Sequence, residues 1–188
     1  MSGARFAVDG EGIVRGARFI ASPNFDERPP GAAIELLVIH SISLPPGKFG
    51  GPHIASLFTN TLDRSVHPYF EGLRGLRVSA HFLIRRHGGL IQFVPCRKRA
   101  WHAGVSSWRG RERCNDFSVG IELEGTDHRP FTASQYRTLE RLVHALQTAY
   151  PIRAAVGHCD IAPGRKTDPG PKFDWSRLGA VPGLHVRR

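Results

Sequence analysis

Between residues 118 and 151 the chain carries two hydrophobic periods back to back, and together they admit few folds. SVGIELE (118–124) alternates Val119, Ile121 and Leu123 on one face against Gly120, Glu122 and Glu124 on the other, the period of a strand with its acids turned away from the core layer. Shortly after it, Thr132 and Gln135 form a capping-box pair. Tyr136, Leu139, Leu142, Val143, Leu146 and Tyr150 then recur at helical spacing until Pro151 ends the run. A one-faced strand followed by a one-faced helix calls for a sheet with a helix packed on it.

The remaining segments fit that scheme. IELLVIH (34–40) is short, apolar and rich in branched residues, which predicts a buried strand ending at His40. PHIASLFTNTL (52–62) has Pro52 at a first helical position and Ile54, Leu57, Phe58 and Leu62 at helical spacing. VSAHFLI (78–84) and LIQFV (90–94) flank RRHGG and predict a hairpin. IRAAVGH (152–158) predicts a strand ending at His158, and FDWSRL (173–178) a short closing helix. The order indicates a mixed sheet flanked by helices, an α/β or α+β layer fold. With 188 residues the chain can bury a core without metal or disulfide staples, and no repeat or linker divides it. Residues 1–30, polar and ending in SPNFDERPP, read as an arm over the surface, and 179–188 as a loose tail. The single domain then spans 31–178.

Composition narrows the function. No window of about eighteen apolar residues exists to span a bilayer. The formal charge of +10 attracts anions, but the basic residues come in short bursts such as Arg97–Arg99. There is no long basic helix and no helix-turn-helix or zinc-finger spacing, which argues against nucleic acid as partner. Cys96, Cys114 and Cys159 form an odd count without a CxxC pair, which suits a reducing cytoplasm. MSGARFAVDGEGIVRGARFI lacks the apolar stretch of a signal peptide, so a cytoplasmic location is expected.

Candidate chemistry gathers at strand ends. His40 and His158 would meet at one rim if their strands are neighbours, and GHCDIAPGRKTDPG (157–170) offers a third donor to complete a metal site with an open position for water. Asp168 is well placed; Asp160 shares the His158 face, while Cys159 faces away as a small core residue. Spacing alone leaves metal ligation and ordinary hydrogen-bonded surface histidines both open. His81, inside an apolar strand, reads as an interior histidine, and His102 beside Trp101 fits packing or substrate contact. The other histidines, at positions 53, 67, 87, 128, 144 and 185, read as surface or turn residues. Glu122, in mid-strand, has to face water, a cation or a reacting group. Lys166 is either a loop charge or a stabiliser of an oxyanion. A cysteine hydrolase built on Cys114 or Cys159 is the rival chemistry.

Through LLVIHSISLPPGKFGGPHIASLFTNTLD, HPYFEGLRGLRVSAHFLIRR, KRAWHAGVSSWRGRERCNDFSVGIELEG and GHCDIAPGRKTDPGPKFDW, in that order and spacing, the chain resembles the zinc-dependent N-acetylmuramoyl-L-alanine amidases of the AmpD type, and more broadly the amidase and peptidoglycan-recognition fold. The resemblance implies one Zn2+ per chain held by His40, His158 and Asp168, with Glu122 and Lys166 catalytic. It also implies a substrate cleft involving Tyr69, Arg77, Trp101, Arg113 and Arg165. There, arginines would grip muropeptide carboxylates and Trp101 would face the sugar. The implied substrate is a small anionic muropeptide, 1,6-anhydro-N-acetylmuramyl-peptide, cut between its lactyl group and L-alanine by a monomeric cytoplasmic enzyme of peptidoglycan recycling. A wall-lytic amidase or a non-catalytic binding module on the same fold is the alternative, though a binding module would typically have lost a ligand. Ser41 stands where asparagine is expected after the first zinc histidine, and its shorter side chain removes a possible substrate hydrogen bond.

Overall fold

The described chain opens with short strands β1 (Ala7–Val8), β2 (Val14–Arg15), β3 (Arg18–Phe19) and β4 (Phe25–Glu27), followed by β5 (Leu36–Ile42) and helix α1 (His53–Phe58). Then come β6 (Phe82–Ile84), β7 (Leu90–Gln92), β8 (Lys98–Ala100), β9 (Ser107–Trp108), β10 (Arg111–Glu112) and β11 (Ser118–Glu124). Helix α2 (Ala133–Ala149), β12 (Ala154–Gly157), α3 (His158–Ile161), α4 (Trp175–Gly179) and β13 (His185–Val186) complete it. The structure is a computed structural model that describes residues 6–186; residues 1–5 of the expected arm and 187–188 of the expected tail lie outside the described residues.

The central sheet has the order β13-β12-β5-β11-β6-β7-β3. β5 lies between β12 and β11 and is parallel to both. A strand flanked this way is covered on both faces, which is why IELLVIH reads as a continuous apolar run and not as an alternation. On one face Leu37 and Ile39 join Val119, Ile121 and Leu123 and the α2 residues Leu139, Leu142, Val143 and Leu146 in one cluster. On the other, Leu36, Val38 and Val156 pack with Ala103, Cys114, Phe117 and Ile161. Helix α1 buries Ile54, Leu57 and Phe58 in a third cluster with Phe70, Phe93 and Leu83. The expected hairpin is present, β6 and β7 pairing antiparallel across Arg85–Gly89.

At the start of α2, Thr132 Oγ1 accepts from Gln135 N at 3.1 Å, and Gln135 Oε1 accepts from Thr132 N at 3.0 Å. Such a cap contributes about 1 kcal/mol. Each leucine fully buried on the helix face contributes roughly 1.5–3 kcal/mol, so packing on the sheet, and not the cap, holds the helix.

Several local expectations are corrected. β5 does not end at His40: it continues to Ile42 because β11 runs alongside as far as Glu124 and supplies the ladder partner. His158 does not end a strand. β12 stops at Gly157, whose N–H donates to Asp160 Oδ2 at 2.8 Å in place of a ladder carbonyl, and His158 opens α3. Glu124, expected to point away from the core layer, is buried, with Oε1 2.7 Å from the Arg85 guanidinium and Oε2 accepting from Arg86 N. The segment read as a surface arm also enters the interior: Val14 belongs to the main core, Asn24 is buried, and β3 extends the sheet. Arg28 donates to the carbonyls of Cys96, Asn115, Asp116 and Ser118, and burial lowers its pKa to about 10. In the segment read as a loose tail, β13 pairs with β12 and Leu184 is buried.

Candidate active site

Strand register brings the candidate groups together. Glu122 on β11 lies directly opposite His40 on β5, and Gly157 lies opposite Ile39, so the next residue, His158, arrives beside His40. Asp168 is delivered by the loop after α3, where its backbone carbonyl accepts from Cys159 N at 2.9 Å. A Cβ on Gly157 would stand 2.8 Å from Pro169 Cδ, so glycine at this position lets the Asp168–Pro169 segment close onto the end of the strand.

His40 Nδ1 lies 3.1 Å from His158 Nδ1 and 3.0 Å from Asp168 Oδ2, and His158 Nδ1 is 3.2 Å from the same oxygen. His158 Nε2 donates to the Ala103 carbonyl at 3.0 Å, leaving its Nδ1 with a lone pair. Electron-rich atoms therefore converge on one another, an arrangement that a shared cation stabilises. A tetrahedral ion with bonds of about 2.0 Å sets its ligands roughly 3.3 Å apart, so the spacing fits a metal ion. Burial lowers the His40 pKa and keeps the imidazole neutral. Burial would raise the Asp168 carboxyl, but its close contacts with His158 and His40 outweigh it and hold the group below the usual carboxylate range. Neutral imidazole and ionised carboxylate are the forms that bind metals.

Glu122 sits beside this cluster with its Oε2 buried and, among the described residues, without a hydrogen-bond partner. Burial, reinforced by the Asp168 charge and opposed by Lys166, raises its pKa well above the ordinary value. Lys166 is exposed, and its charge acts on both Glu122 and His40. Of the expected cleft residues, Arg113 and Arg165 line one cavity of about 610 Å³ together with Val105 and Ile161 of α3. Arg165 is braced by donating to the carbonyls of Ala103 and Val105, the strip of chain that also receives His158. Trp101 donates its indole N–H to Asp26 Oδ1 at 3.2 Å and lines a smaller hollow with Arg113. Arg77 lines a separate cavity with Leu57 and Leu73, and Tyr69 is exposed on the turn of 3-10 helix Pro68–Leu73. Ser41, in alternation with His40, is on the sheet face opposite the cluster. Cys114 is fully buried with its pKa raised by burial, and burial pushes Cys96 up to about 12, which disqualifies both thiols as nucleophiles.

His102, read from the sequence as a packing or substrate-contact residue, proves to lie against His40. His102 Nδ1 lies 3.0 Å from His40 Nε2, across 62 positions of chain, and no local spacing announces that contact.

A mixed sheet with helices packed on it thus defines an α/β protein, and at one place it gathers two imidazoles and a carboxylate that could hold a metal ion, beside a glutamate oxygen without a hydrogen-bond partner among the described residues. Residues 30–171 match the family model described as N-acetylmuramoyl-L-alanine amidase. The chain is 60% identical over 173 residues to the 1,6-anhydro-N-acetylmuramyl-L-alanine amidase AmpD of Citrobacter freundii, covering 91% of this chain and 92% of that protein. A crystal structure of a selenomethionine AmpD derivative superposes with a TM-score of 0.90 at 59% identity, covering 93% of this chain and 98% of the other. The amidase AmiD of Escherichia coli, in complex with the substrate anhydro-N-acetylmuramic acid-L-Ala-D-gamma-Glu-L-Lys, superposes with a TM-score of 0.61 at 30% identity, covering 95% and 66%. The chain belongs to the N-acetylmuramoyl-L-alanine amidase family, and it is accordingly a hydrolase of peptidoglycan catabolism.

Proposed function

We propose that the chain hydrolyses the amide between the lactyl group of 1,6-anhydro-N-acetylmuramic acid and L-alanine in small anionic muropeptides, with one Zn2+ held by His40, His158 and Asp168. The observation that carries this reading is the convergence of His40 Nδ1, His158 Nδ1 and Asp168 Oδ2 to within 3.0–3.2 Å beside a buried, unpartnered Glu122 oxygen. The anhydro-muramyl specificity is supported by the relatives, which carry that substrate in their names or their complexes.

A zinc ion with three protein ligands supplies Lewis acidity and makes a neighbouring water more acidic. Glu122 is the general base of this reading: Oε2 accepts a proton from the attacking water as its oxygen bonds to the lactyl carbonyl carbon. The carbonyl oxygen takes up the electron pair, and the Lys166 ammonium stabilises that negative charge. When the C–N bond breaks, Glu122 returns its proton to the departing L-alanine nitrogen, so the carboxylate is regenerated. A buried carboxyl with a raised pKa suits both halves, because it holds a proton more readily than an exposed one and can still release it. Arg113 and Arg165, on one cavity beside α3, serve as grips for the peptide carboxylates, with Trp101 in the smaller hollow it shares with Arg113; a cleft that also took in Tyr69 and Arg77 would have to extend beyond that cavity.

Residues 31–178 form the catalytic unit in this reading, with 6–30 and 179–186 packed on it from either end. A monomer working in the cytoplasm on recycled wall fragments is the setting that fits, and no helix among the described residues is long and apolar enough to cross a membrane. The test incubates purified protein with anhydro-muropeptide and, separately, with intact sacculi, with elemental analysis of the same sample. Release of free peptide from the anhydro-muropeptide with one zinc per chain is expected; cleavage of the polymer alone would overturn the substrate assignment. Glu122→Gln should retain zinc and lose about 10²–10⁴ in kcat. Full activity in that variant would remove the proposed base.

A further inference from the structure

We propose that His102 and Ser118 are positioning residues that set the tautomer of His40 and so keep its Nδ1 unprotonated for the metal. The proposal rests on the reading of His40 as a ligand and deepens it.

The direction of the hydrogen bonds follows from one hydroxyl. Ser118 Oγ lies 2.6 Å from the backbone carbonyl of Cys114, and a carbonyl only accepts, so the hydroxyl hydrogen points there. The other contact of Ser118 Oγ, with His102 Nε2 at 3.2 Å, must then be one in which the ring donates. A neutral imidazole carries a single N–H, so His102 Nδ1 presents a lone pair. Facing it at 3.0 Å is His40 Nε2, which has to be the donor. With its proton on Nε2, His40 has a bare Nδ1, and that is the nitrogen turned to Asp168 Oδ2 and His158 Nδ1. A backbone carbonyl at the foot of β11 thus determines which nitrogen of His40 is available, through a hydroxyl and one intervening ring. His158 reaches the same state by a shorter route, donating from Nε2 straight to the Ala103 carbonyl.

The surroundings hold the intermediate ring in place. A Cβ on Gly120 would come within 2.4 Å of His102 Cγ, so the ring lies directly on the strand backbone, in a space only glycine leaves. Ser118 is fully buried, and Asn115 Oδ1 accepts from the backbone N–H groups of His102 and Ala103. Outer-shell partners that fix a ligand histidine in this way typically cost 10–100-fold in metal affinity when removed.

The test uses the full-length protein, chelator competition for the zinc dissociation constant, and long-range 1H–15N correlation of the imidazoles in metal-free samples. In the wild type, His40 is expected as the Nε2–H tautomer, and Ser118→Ala should convert it to a mixture. His102→Leu should weaken zinc about 10–100-fold. His102→Asn, whose Oδ1 takes the place of the ring Nδ1 as acceptor, should recover most of that loss. An Nδ1–H tautomer in the wild type would overturn the proposal. So would wild-type zinc affinity in the Leu variant, or an Asn variant no better than Leu when both melt like the wild type. If the wild type takes up no zinc, or His40→Ala leaves the affinity unchanged, the ligand assignment fails instead, and the two failures are thereby distinguished.

Discussion

His81 shows how much one enclosed side chain can tie stability to pH. Its Nδ1 accepts from Gly120 N at 3.0 Å and its Nε2 donates to the Lys98 carbonyl at 3.1 Å, so the ring is satisfied while neutral. Burial, with the Arg28 charge adding to it, lowers its pKa from 6.5 to about 3. The fold therefore keeps off a proton that the unfolded chain takes up. The contribution is whole above pH 6.5 and is lost as pH falls from there towards 3, at up to about 1.4 kcal/mol per unit. Urea unfolding of the metal-free protein should show a loss of about 2 kcal/mol from His81 between pH 6.5 and pH 4.5, with His40 and His102 shifted the same way and adding to it. A flat profile over that range would mean the ring is protonated, or open to water, in the native state. That His81 lies inside, the main cause of its depressed pKa, was legible from its apolar neighbours; the added Arg28 charge was not, because Arg28 reaches it from 53 positions away.

In strand β11 the two faces have separate duties. Val119, Ile121 and Leu123 anchor α2, while Gly120 and Glu122 face the histidines. The alternation of SVGIELE shows that division directly, since side-chain direction in a strand depends only on parity. Parity does not say what lies beyond each face, and so the burial of Glu124 against Arg85 had to come from the fold. Gly120→Ala should push the His102 ring out of its seat and cost about 1–3 kcal/mol, as overpacking of a filled site does. Thermal melts and zinc titration of the same variant check this: a melting temperature and zinc affinity both equal to wild type would show that the ring has room to move.

For the molecule as a whole, an ion held by His40, His158 and Asp168 would join β5, α3 and the Asp168 loop, elements far apart along the chain. Chelation should therefore do two things: abolish turnover and lower the melting temperature. Zinc should restore both, with about 2.7 kcal/mol regained when free metal reaches a hundred times its dissociation constant. Metal-free protein, verified by elemental analysis, that cleaves muropeptide at the full rate would contradict the metal-dependent reading.

Periodicity, caps and turn residues act within a few positions, and they suffice to recognise β11, α2, the β6–β7 hairpin and the mixed-sheet class. Resemblance across four segments adds the family and a candidate ligand set, yet spacing alone leaves Asp160 as a rival to Asp168 for the third donor. Chain packing separates them: Asp160 Oδ2 accepts from Gly157 N, while Asp168 Oδ2 comes within 3.0 Å of His40 Nδ1. His40 meets His158 across 118 positions, Asp168 across 128 and His102 across 62. Contacts of that range exist because the strands are ordered β12-β5-β11, and that order comes from burying both faces of β5 at once, which no short stretch of residues can specify.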